Sequence, residues 1–196
     1  PSAMMNDANA TVLAEWMWGA ARGANTAVYL TMSTGMGAGL IVNGQLFEGP
    51  QGLAGEIGRI RLRDDGPVGF AKRGSVEGFL SGPGMCQLAA QEAIICRQRG
   101  EASVLADRYV AHGAITTEEL CEAATEGDAA AVRVTDRIAH ELGRLLAILN
   151  DVLNPEVIVL GTIGTHYPEL FIPGAMRVMI DEGVSQSARC VRVVPS

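Results

Sequence analysis

Several features that would place the chain in a specialised class are missing from its sequence. Lysine and arginine number 15 against 22 aspartates and glutamates, a formal net charge of -7. The chain therefore lacks the basic surface with which a general nucleic-acid binder displaces counterions from phosphates. No apolar run reaches the roughly 18 residues needed to cross a bilayer. The four cysteines form no C-x-x-C pair, which favours reduced thiols in a cytoplasmic protein.

Glycine is the residue that the chain has in excess. It accounts for 24 of 196 residues, more than the usual ~7%, and fourteen of these lie between Gly35 and Gly84. Hydrophobic residues at 48% and charged residues at 19% indicate a globular domain. The chain starts at Pro1 without an initiator Met or a targeting pattern and stops just after a strand-like run, so we expect a piece of a longer protein.

Hydrophobic patterning predicts a mixed α/β fold. Asn43-Gly44 predicts a hairpin, because both turn residues need a positive φ. The segment 49–84 is expected to be mostly loop. The expected helices are 8–18 (capped by Asn6 or Asp7), 83–99, a short one opened by the capping box Thr116-x-x-Glu119, 129–153 after Asp128, and 169–181. The expected strands are 27–32, 40–42, 45–48, 59–63, 156–160 and 190–194. A strand hairpin followed by helix–strand alternation is typical of a mixed sheet.

The glycine-rich turn Thr34-Gly35-Met36-Gly37-Ala38-Gly39 is the first candidate site. It joins strand to strand, which excludes a dinucleotide-binding fingerprint, since that motif needs a helix after the glycines. A tight glycine turn can still bind phosphate through successive backbone N–H groups, with the Thr34 hydroxyl as a further donor. The alternative is a glycine hairpin with a bulge.

Three acidic side chains are further candidates. Asp7 can accept the proton of a sugar hydroxyl as its oxygen attacks a γ-phosphate, although an aspartate before a helix is often an N-cap. Glu56 and Glu77 lie in glycine-rich stretches, and carboxylates suit polyol recognition because they accept hydrogen bonds from neighbouring hydroxyls. Capping is again the alternative, with Ser75 capping a short helix that has Glu77 in its first turn.

The order and spacing of these features match one family over nearly the whole chain. The matching segments are Asn6-Asp7-Ala8-Asn9-Ala10 with Glu15, Ser33-Thr34-Gly35-Met36-Gly37-Ala38-Gly39, Ala54-Gly55-Glu56-Ile57-Gly58, Gly74-Ser75-Val76-Glu77, Gly127-Asp128 and Asn154-Pro155-Glu156-Val157-Ile158-Val159-Leu160-Gly161. In these segments the chain resembles the ROK proteins (repressors, open reading frames, kinases).

The resemblance implies an α/β lobe of the actin/hexokinase-type ATPase fold, which is ribonuclease H-like. Residues 1–24 would end the N-terminal lobe and include the interlobe helix, and residues 25–196 would form an incomplete C-terminal lobe. It also implies ATP-dependent phosphorylation of a hexose or amino-hexose, with ATP and Mg²⁺ in the interlobe cleft.

The resemblance also implies a role for each matching residue. Asp7 would be the catalytic base. The sugar would contact Asn6, Glu56 and Glu77, and Arg59, which departs from the family's pattern, is a further candidate contact. The nucleotide would contact Thr34, Gly35, Gly37, Gly161 and Thr162, with the first two at its phosphates and the last two near its nucleoside.

Many members of this family bind zinc through one histidine and three cysteines, and other residues stand at those positions here. They are Arg59, Val68, Phe70 and Ser75. We expect no zinc, because valine and phenylalanine cannot ligate the metal and arginine stays protonated. The loop from Asp64 to Arg73 must then be ordered by packing or be mobile. Arg59 is expected to pair with Asp64 or Asp65, or to donate to a sugar hydroxyl.

The family's N-terminal Asp-x-Gly-Gly-Thr phosphate loop is not in the chain, so we expect the chain alone to be inactive. The family also includes transcriptional repressors, and a sugar-sensing repressor domain is therefore the alternative function. The phosphate turn favours the kinase, for which we expect no nucleic-acid or membrane partner. Family analogy implies a homodimer.

Overall fold

The computed structural model describes residues 5–196, so the first four residues of the predicted 1–24 segment lie outside the description. The helices are α1 (Asp7–Trp18), α2 (Val76–Leu80), α3 (Gly82–Arg99), α4 (Val104–His112), α5 (Thr117–Thr125), α6 (Ala129–Leu153), α7 (Ile163–His166), α8 (Pro168–Glu182) and α9 (Ser185–Ala188), with a 3₁₀ turn at Ile57–Arg59. The strands are β1 (Ala27–Met32), β2 (Met36–Val42), β3 (Gln45–Leu46), β4 (Val68–Gly69), β5 (Lys72–Arg73), β6 (Val157–Thr162) and β7 (Arg192–Pro195). In residues 5–196 no helix combines the length and the apolar character needed to traverse a bilayer.

The central sheet has five strands in the order β3-β2-β1-β6-β7. β1 pairs antiparallel with β2 and parallel with β6, and β7 continues the parallel half. The β2–β3 hairpin turns at Asn43 and Gly44, whose φ angles are 54° and 68°, as the Asn-Gly pair predicts. The sheet is therefore mixed, and the expected α/β class is correct.

The two faces of the sheet carry cores of different size. Successive residues of a strand point to opposite faces, so β1 contributes to both. Val28, Leu30 and Met32 belong to the larger core, which the helices from α2 to α6 and α8 cover. Ala27 and Tyr29 belong to the smaller core, which α1 covers.

The long helix α6 is central to the larger core. The Asp128 side chain caps it by accepting from the Ala131 N–H (2.9 Å), and Asn154 ends it in the left-handed conformation. Its apolar residues Ile138, Leu142, Leu145, Leu146 and Leu149 are buried, but Val132 is exposed. Val132 precedes Ile138 by six residues, which is about 1.7 turns at 3.6 residues per turn, so the two face different sides.

The structure corrects three element predictions. β2 begins at Met36 and not at residue 40, because Gly37 and Gly39 continue the ladder with β1. The strand expected at 59–63 is wrong: a 3₁₀ turn occupies its start, and Arg61 forms only an isolated bridge. Helix α4 was not expected, although Gly100 ends α3 in the left-handed conformation and Ser103 caps α4 by accepting from the Ala106 N–H (3.3 Å).

Residues 61–75 form a closed loop, the 61–75 loop, which contains β4 and β5. Its ends are joined, because Arg61 forms an antiparallel bridge with Ser75 and the Arg63 N–H donates to the Gly74 carbonyl (3.1 Å). Gly74 has φ 66°, a backbone conformation that glycine adopts without strain. The loop leads directly into α2.

Candidate functional site

The turn between β1 and β2 is short and regular. The Ser33 N–H donates to the Gly35 carbonyl (3.1 Å), and the β1–β2 register continues without a break from Ala27 opposite Ile41 to Met32 opposite Met36. The segment is therefore a strand hairpin, as the alternative expected, but it has no bulge. Thr34 at the tip is exposed, so its hydroxyl is accessible to an anion, whereas the Ser33 and Met36 N–H groups are already bonded within the protein.

A cleft of about 500 Å³ opens beside this turn. Its walls come from the turn, the start of α3, the segment that leads into α5, and the end of β6. The lining residues are Ser33, Thr34, Gly82, Pro83, Cys86, Ala114, Ile115, Thr116, Thr117, Glu118, Thr162 and Ile163. The volume and the mixture of apolar and hydroxyl groups suit a small organic ligand with polar ends.

The amino terminus of α3 forms one wall of this cleft. Ser81 caps the helix by accepting from the Gly84 N–H (3.2 Å), and the Gly82 N–H donates to the Ser33 carbonyl (2.8 Å), which fixes the turn against the helix. The first turn of α3 contains no acidic residue. Because a helix amino terminus carries partial positive charge, this wall favours an anionic group.

Thr162 lies on the other side of the cleft in a strained conformation. Its φ of 53° and ψ of -108° are unfavourable for a β-branched residue. It also lines a neighbouring hollow of about 470 Å³, together with His166 and Tyr167. Backbone strain of this kind persists where the surroundings enforce it, which is typical of ligand sites.

Tyr29 is the buried neighbour of Thr162. Burial raises the pKa of Tyr29, hydrogen bonding by Thr162 lowers it, and the Glu15 and Asp7 carboxylates raise it further. The net shift is upward from 10.0, so the hydroxyl stays protonated at neutral pH. A Cβ at Gly161 would collide with this hydroxyl, and Gly161 is therefore required for the packing of Tyr29.

The predicted nucleotide-contact residues occupy two environments. The two threonines, Thr34 and Thr162, line the cleft. The three glycines of the set, Gly35, Gly37 and Gly161, are not among the lining residues. Gly37 of β2 and Gly161 of β6 lie opposite Thr31 of β1 on its two sides. The two strands that flank Thr31 therefore carry no side chain at this level of the sheet.

Asn6 and Asp7 take different roles at the start of α1. The Asn6 Oδ1 caps the helix by accepting from the N–H groups of Ala8 (2.9 Å) and Asn9 (3.3 Å). Asp7 is the first helical residue and is exposed, and its Oδ1 accepts from the adjacent Ala8 N–H (2.8 Å). Because Asn6 does the capping, the second Asp7 oxygen keeps its capacity to accept from a ligand.

The first turn of α1 lies directly on β2. A Cβ at Gly39 would collide with the Ala8 carbonyl and come within 2.8 Å of the Val12 Cβ, so only glycine allows this close approach. Gly37, two residues before Gly39, lies on the same face of the strand. The end of α1 that carries Asp7 is thus attached to the strand that leaves the phosphate turn.

Glu77 lies against the other side of the turn. It is in the first turn of α2, which Ser75 caps by accepting from the Gly78 N–H (3.1 Å). The capping prediction for Ser75 is therefore correct, and Glu77 has a further contact: its Oε2 accepts from the Met36 N–H (3.3 Å). A Cβ at Gly35 would lie 3.1 Å from the same oxygen.

Glu56 is exposed at the start of the 3₁₀ turn and makes no side-chain capping bond there. The preceding Gly55, with φ 92°, accepts from the Ala38 N–H through its carbonyl (2.9 Å). A side chain on Gly55 would collide with the Ala38 carbonyl. Glu56 is thereby held beside β2 with its carboxylate free to accept hydrogen bonds.

The residues at the expected zinc positions have other contacts. The Arg59 guanidinium lies 4.8 Å from the centre of the Phe70 ring, a cation–π contact. Ser75 is buried as the cap of α2, and Val68 is exposed. These side chains do not form a zinc donor set. Among the described residues Arg59 forms no ion pair with Asp64 or Asp65, contrary to that expectation, and Asp65 lies instead beside Arg63 (3.7 Å).

Sequence reasoning missed the α3 wall, Tyr29 and Cys86. Pro83 and the Thr116-x-x-Glu119 capping box both indicated helix starts, and helix starts are common anion sites. Only the tertiary structure brings the two starts to the same cleft. The burial of Tyr29 beside Thr162 has no local sequence signal.

Comparison with known proteins identifies a family and several relatives of the chain. A model of the ROK family matches residues 1–195. The glucokinase of Halalkalibacterium halodurans is 37% identical over 163 residues, which cover 82% of this chain and 48% of that protein. The xylose repressor of Caldicellulosiruptor bescii is 30% identical over 172 residues, which cover 85% of this chain and 41% of that protein.

A solved structure agrees along the whole chain. The ROK family glucokinase from Streptomyces griseus in complex with glucose and AMPPNP has a TM-score of 0.86 and 29% identity, covering 100% of this chain and 63% of that one. The expected actin/hexokinase-type α/β fold is thereby confirmed. The chain spans about half the length of the curated relatives that it matches.

Proposed function

The chain belongs to the ROK family, and on this premise we propose that the full-length protein is an ATP-dependent kinase of a hexose or amino-hexose. One observation carries the proposal. The turn at residues 33–35 has Thr34 in a cleft of about 500 Å³ on one side and the Glu77 carboxylate on the other. A phosphate chain in the cleft would therefore end beside an acid suited to sugar hydroxyls.

The proposed reaction is proton transfer coupled to phosphoryl transfer. Asp7 accepts the proton of a sugar hydroxyl as its oxygen attacks the terminal phosphate, a contribution of about 10²–10⁴ in rate for a well-placed base. Asn6 contacts the sugar beside it. Glu56, Arg59 and Glu77 hold the remaining hydroxyls, the acids as acceptors and Arg59 as a donor.

The cleft residues fit a nucleotide. Thr34 and Gly35 bind the phosphates at the turn, and the partial positive charge at the start of α3 favours the same group. Gly37 keeps the adjoining row of the sheet open, and Gly161 and Thr162 lie near the nucleoside. Mg²⁺ bound with the nucleotide would neutralise part of the phosphate charge. No zinc is proposed, since the residues at the expected positions do not fit it.

Membership of the family also supports proposals about the lobes, the localisation and the oligomeric state. Residues 1–24 belong to the end of the N-terminal lobe and the interlobe helix, and residues 25–196 belong to the C-terminal lobe. The protein is a cytoplasmic homodimer. A sugar-sensing repressor domain is the second candidate, because the xylose repressor of Caldicellulosiruptor bescii matches 85% of this chain.

A coupled ADP-release assay of the full-length protein tests the function. The panel contains glucose, mannose, fructose, allose and N-acetylated hexosamines. We expect ADP formation that depends on at least one sugar. Sugar binding by calorimetry without ADP formation for any member of the panel contradicts the kinase and favours the repressor.

A further inference from the structure

The 61–75 loop connects two acids of the proposed sugar site. Glu56 lies shortly before the loop, and Glu77 lies just after it in α2. The two ends are in contact, because a Cβ at Gly58 would lie 3.5 Å from the Glu77 Oε2. The position of the loop therefore sets where Glu77 stands relative to Glu56 and to the phosphate turn.

Most side chains of the loop are exposed, although Leu62 packs against the larger core and Pro67 is buried. The exposed side chains are Arg61, Arg63, Asp64, Asp65, Val68, Phe70, Ala71 and Arg73. Hydrogen bonds within the loop close it, as between the Gly74 N–H and the Pro67 carbonyl (2.9 Å). Such bonds give the loop its shape, and two hydrogen bonds between the Val68 backbone and the Gln87 side chain of α3 (3.0 and 2.9 Å) attach one part of it to the helical layer.

One ion pair attaches the loop to the buried face of α6. The Arg63 Nη1 lies 2.9 Å from the Glu141 Oε1. The Glu141 side chain is only 1% exposed, whereas that of Arg63 is 40% exposed. The hydrogen bond that Arg63 donates to Glu141 is also the main cause that raises the pKa of Arg63. The pair thus joins the loop to a helix whose inner face is buried in the larger core.

The second Glu141 oxygen shows that this carboxylate is costly to bury. Among the described residues Oε2 is buried without a hydrogen-bond partner, and the Arg144 Nη1 lies 3.8 Å away. A buried carboxylate with an unsatisfied oxygen loses hydration that one ion pair compensates only in part. An apolar residue in α6 would serve the core better, so stability alone does not account for Glu141.

We propose that Arg63 and Glu141 are a positioning pair for the sugar site: by fixing the 61–75 loop to α6, they set the place of the Glu77 carboxylate. Neither residue contacts the substrate. The pair acts through the backbone that runs from Arg63 to Gly74 and into the cap of α2. The expected effect on the sugar KM rests on the proposed function, whereas the attachment of the loop to α6 does not.

Glu141→Gln in the full-length protein is the appropriate variant. It removes the charge at similar volume and leaves Arg63 able to reach water, whereas removing Arg63 would leave a buried unpaired carboxylate. Glu92→Gln is the matched control, because Glu92 pairs with Arg133 of the same helix α6 (2.7 Å) at a site away from the loop. Arg63→Lys, which keeps the charge without the planar fork, is the second variant if Glu141→Gln does not fold.

Two measurements are made on each variant. Amide hydrogen exchange follows the Gly74 and Val76 N–H groups, which bond to the Pro67 and Ile60 carbonyls (2.9 and 2.8 Å). Steady-state kinetics give the KM for the sugar, the KM for ATP and kcat. For Glu141→Gln we expect about tenfold faster exchange at both amides and about tenfold higher sugar KM, with the ATP KM unchanged. Arg63→Lys should give smaller changes of the same kind, and Glu92→Gln should give none.

The outcomes separate this proposal from the proposed function. Unchanged exchange at Gly74 and Val76 overturns the positioning role, whatever the kinetics show. Faster exchange with an unchanged sugar KM in an active enzyme also overturns it, since Glu77 then does not depend on the loop. Faster exchange in a protein that is inactive even as wild type supports the structural attachment and contradicts the kinase.

Discussion

The helical layer and the cleft side of the molecule are stabilised in different ways. The helical layer (α3–α6 and α8) is held by fully buried apolar side chains such as Leu142, Leu145 and Phe171. The cleft side, a name for the 33–35 turn, Thr162 and the 61–75 loop together, is held mainly by hydrogen bonds and by one ion pair to the buried Glu141 carboxylate, and it contains the strained residue Thr162.

This difference separates stability from function. Burial of apolar surface is non-directional and tolerates small shifts, whereas polar groups must meet a ligand within a few tenths of an ångström. We therefore expect substitutions in the helical layer to lower the free energy of unfolding with little effect on substrate affinity. Substitutions on the cleft side should lower substrate affinity more than they change the free energy of unfolding.

Leu142→Ala gives the largest expected effect on stability. Leu142 is 0% exposed in α6, and its truncation should lower the free energy of unfolding by about 2–5 kcal/mol. Urea unfolding followed by circular dichroism measures this change. Val132→Ala is the control, because Val132 in the same helix is exposed. A Leu142→Ala loss no larger than that of Val132→Ala would break the comparison.

Thr162→Gly should raise the free energy of unfolding, whereas Leu142→Ala lowers it. Glycine adopts the φ of 53° without the strain of a β-branched residue, so the variant should gain about 1 kcal/mol in unfolding free energy. The proposed role of Thr162 predicts weaker ATP binding at the same time. Thr165→Gly, in helix α7, should lose stability. Lower stability in Thr162→Gly would show that the backbone there is not strained.

The capping box of α5 gives the smallest expected effect. The Glu119 Oε2 accepts from the Thr116 N–H (2.9 Å), and this bond lowers the pKa of Glu119. Its contribution is present above the unfolded pKa and is lost as the pH falls through the lowered folded pKa. Glu119→Gln should therefore cost less than about 1 kcal/mol at neutral pH, and the difference from wild type should shrink below about pH 4. A constant difference across this range would exclude the carboxylate as its source.

The sequence predicted the parts of the fold whose signal is local. The Asn43-Gly44 hairpin, the capping box at Thr116 and the helix after Asp128 each have chemistry that acts within a few residues. The 61–75 loop was not predicted in detail, because its order depends on Glu141 and Gln87, which are distant in the sequence.

In the candidate site, too, the residues with a local sequence signal were predicted, and the contacts that depend on distant residues were not. Thr34 and Glu77 were recognised from their glycine-rich surroundings, and the structure brings both to one turn. Gly161 was predicted at the nucleotide, but its tight fit against Tyr29 reflects packing across the sheet, which spacing along the chain does not reveal. The strain at Thr162 depends on the tertiary structure in the same way.

Asp7→Asn in the full-length protein tests the central claim most directly. The amide keeps the volume of the side chain but cannot accept the sugar proton. We expect the sugar Kd, measured by calorimetry, to change little and kcat to fall by about 10²–10⁴. Asp107→Asn, an exposed residue in the first turn of α4, should leave both values unchanged. Near-normal turnover in Asp7→Asn would contradict the assignment of Asp7 as the base.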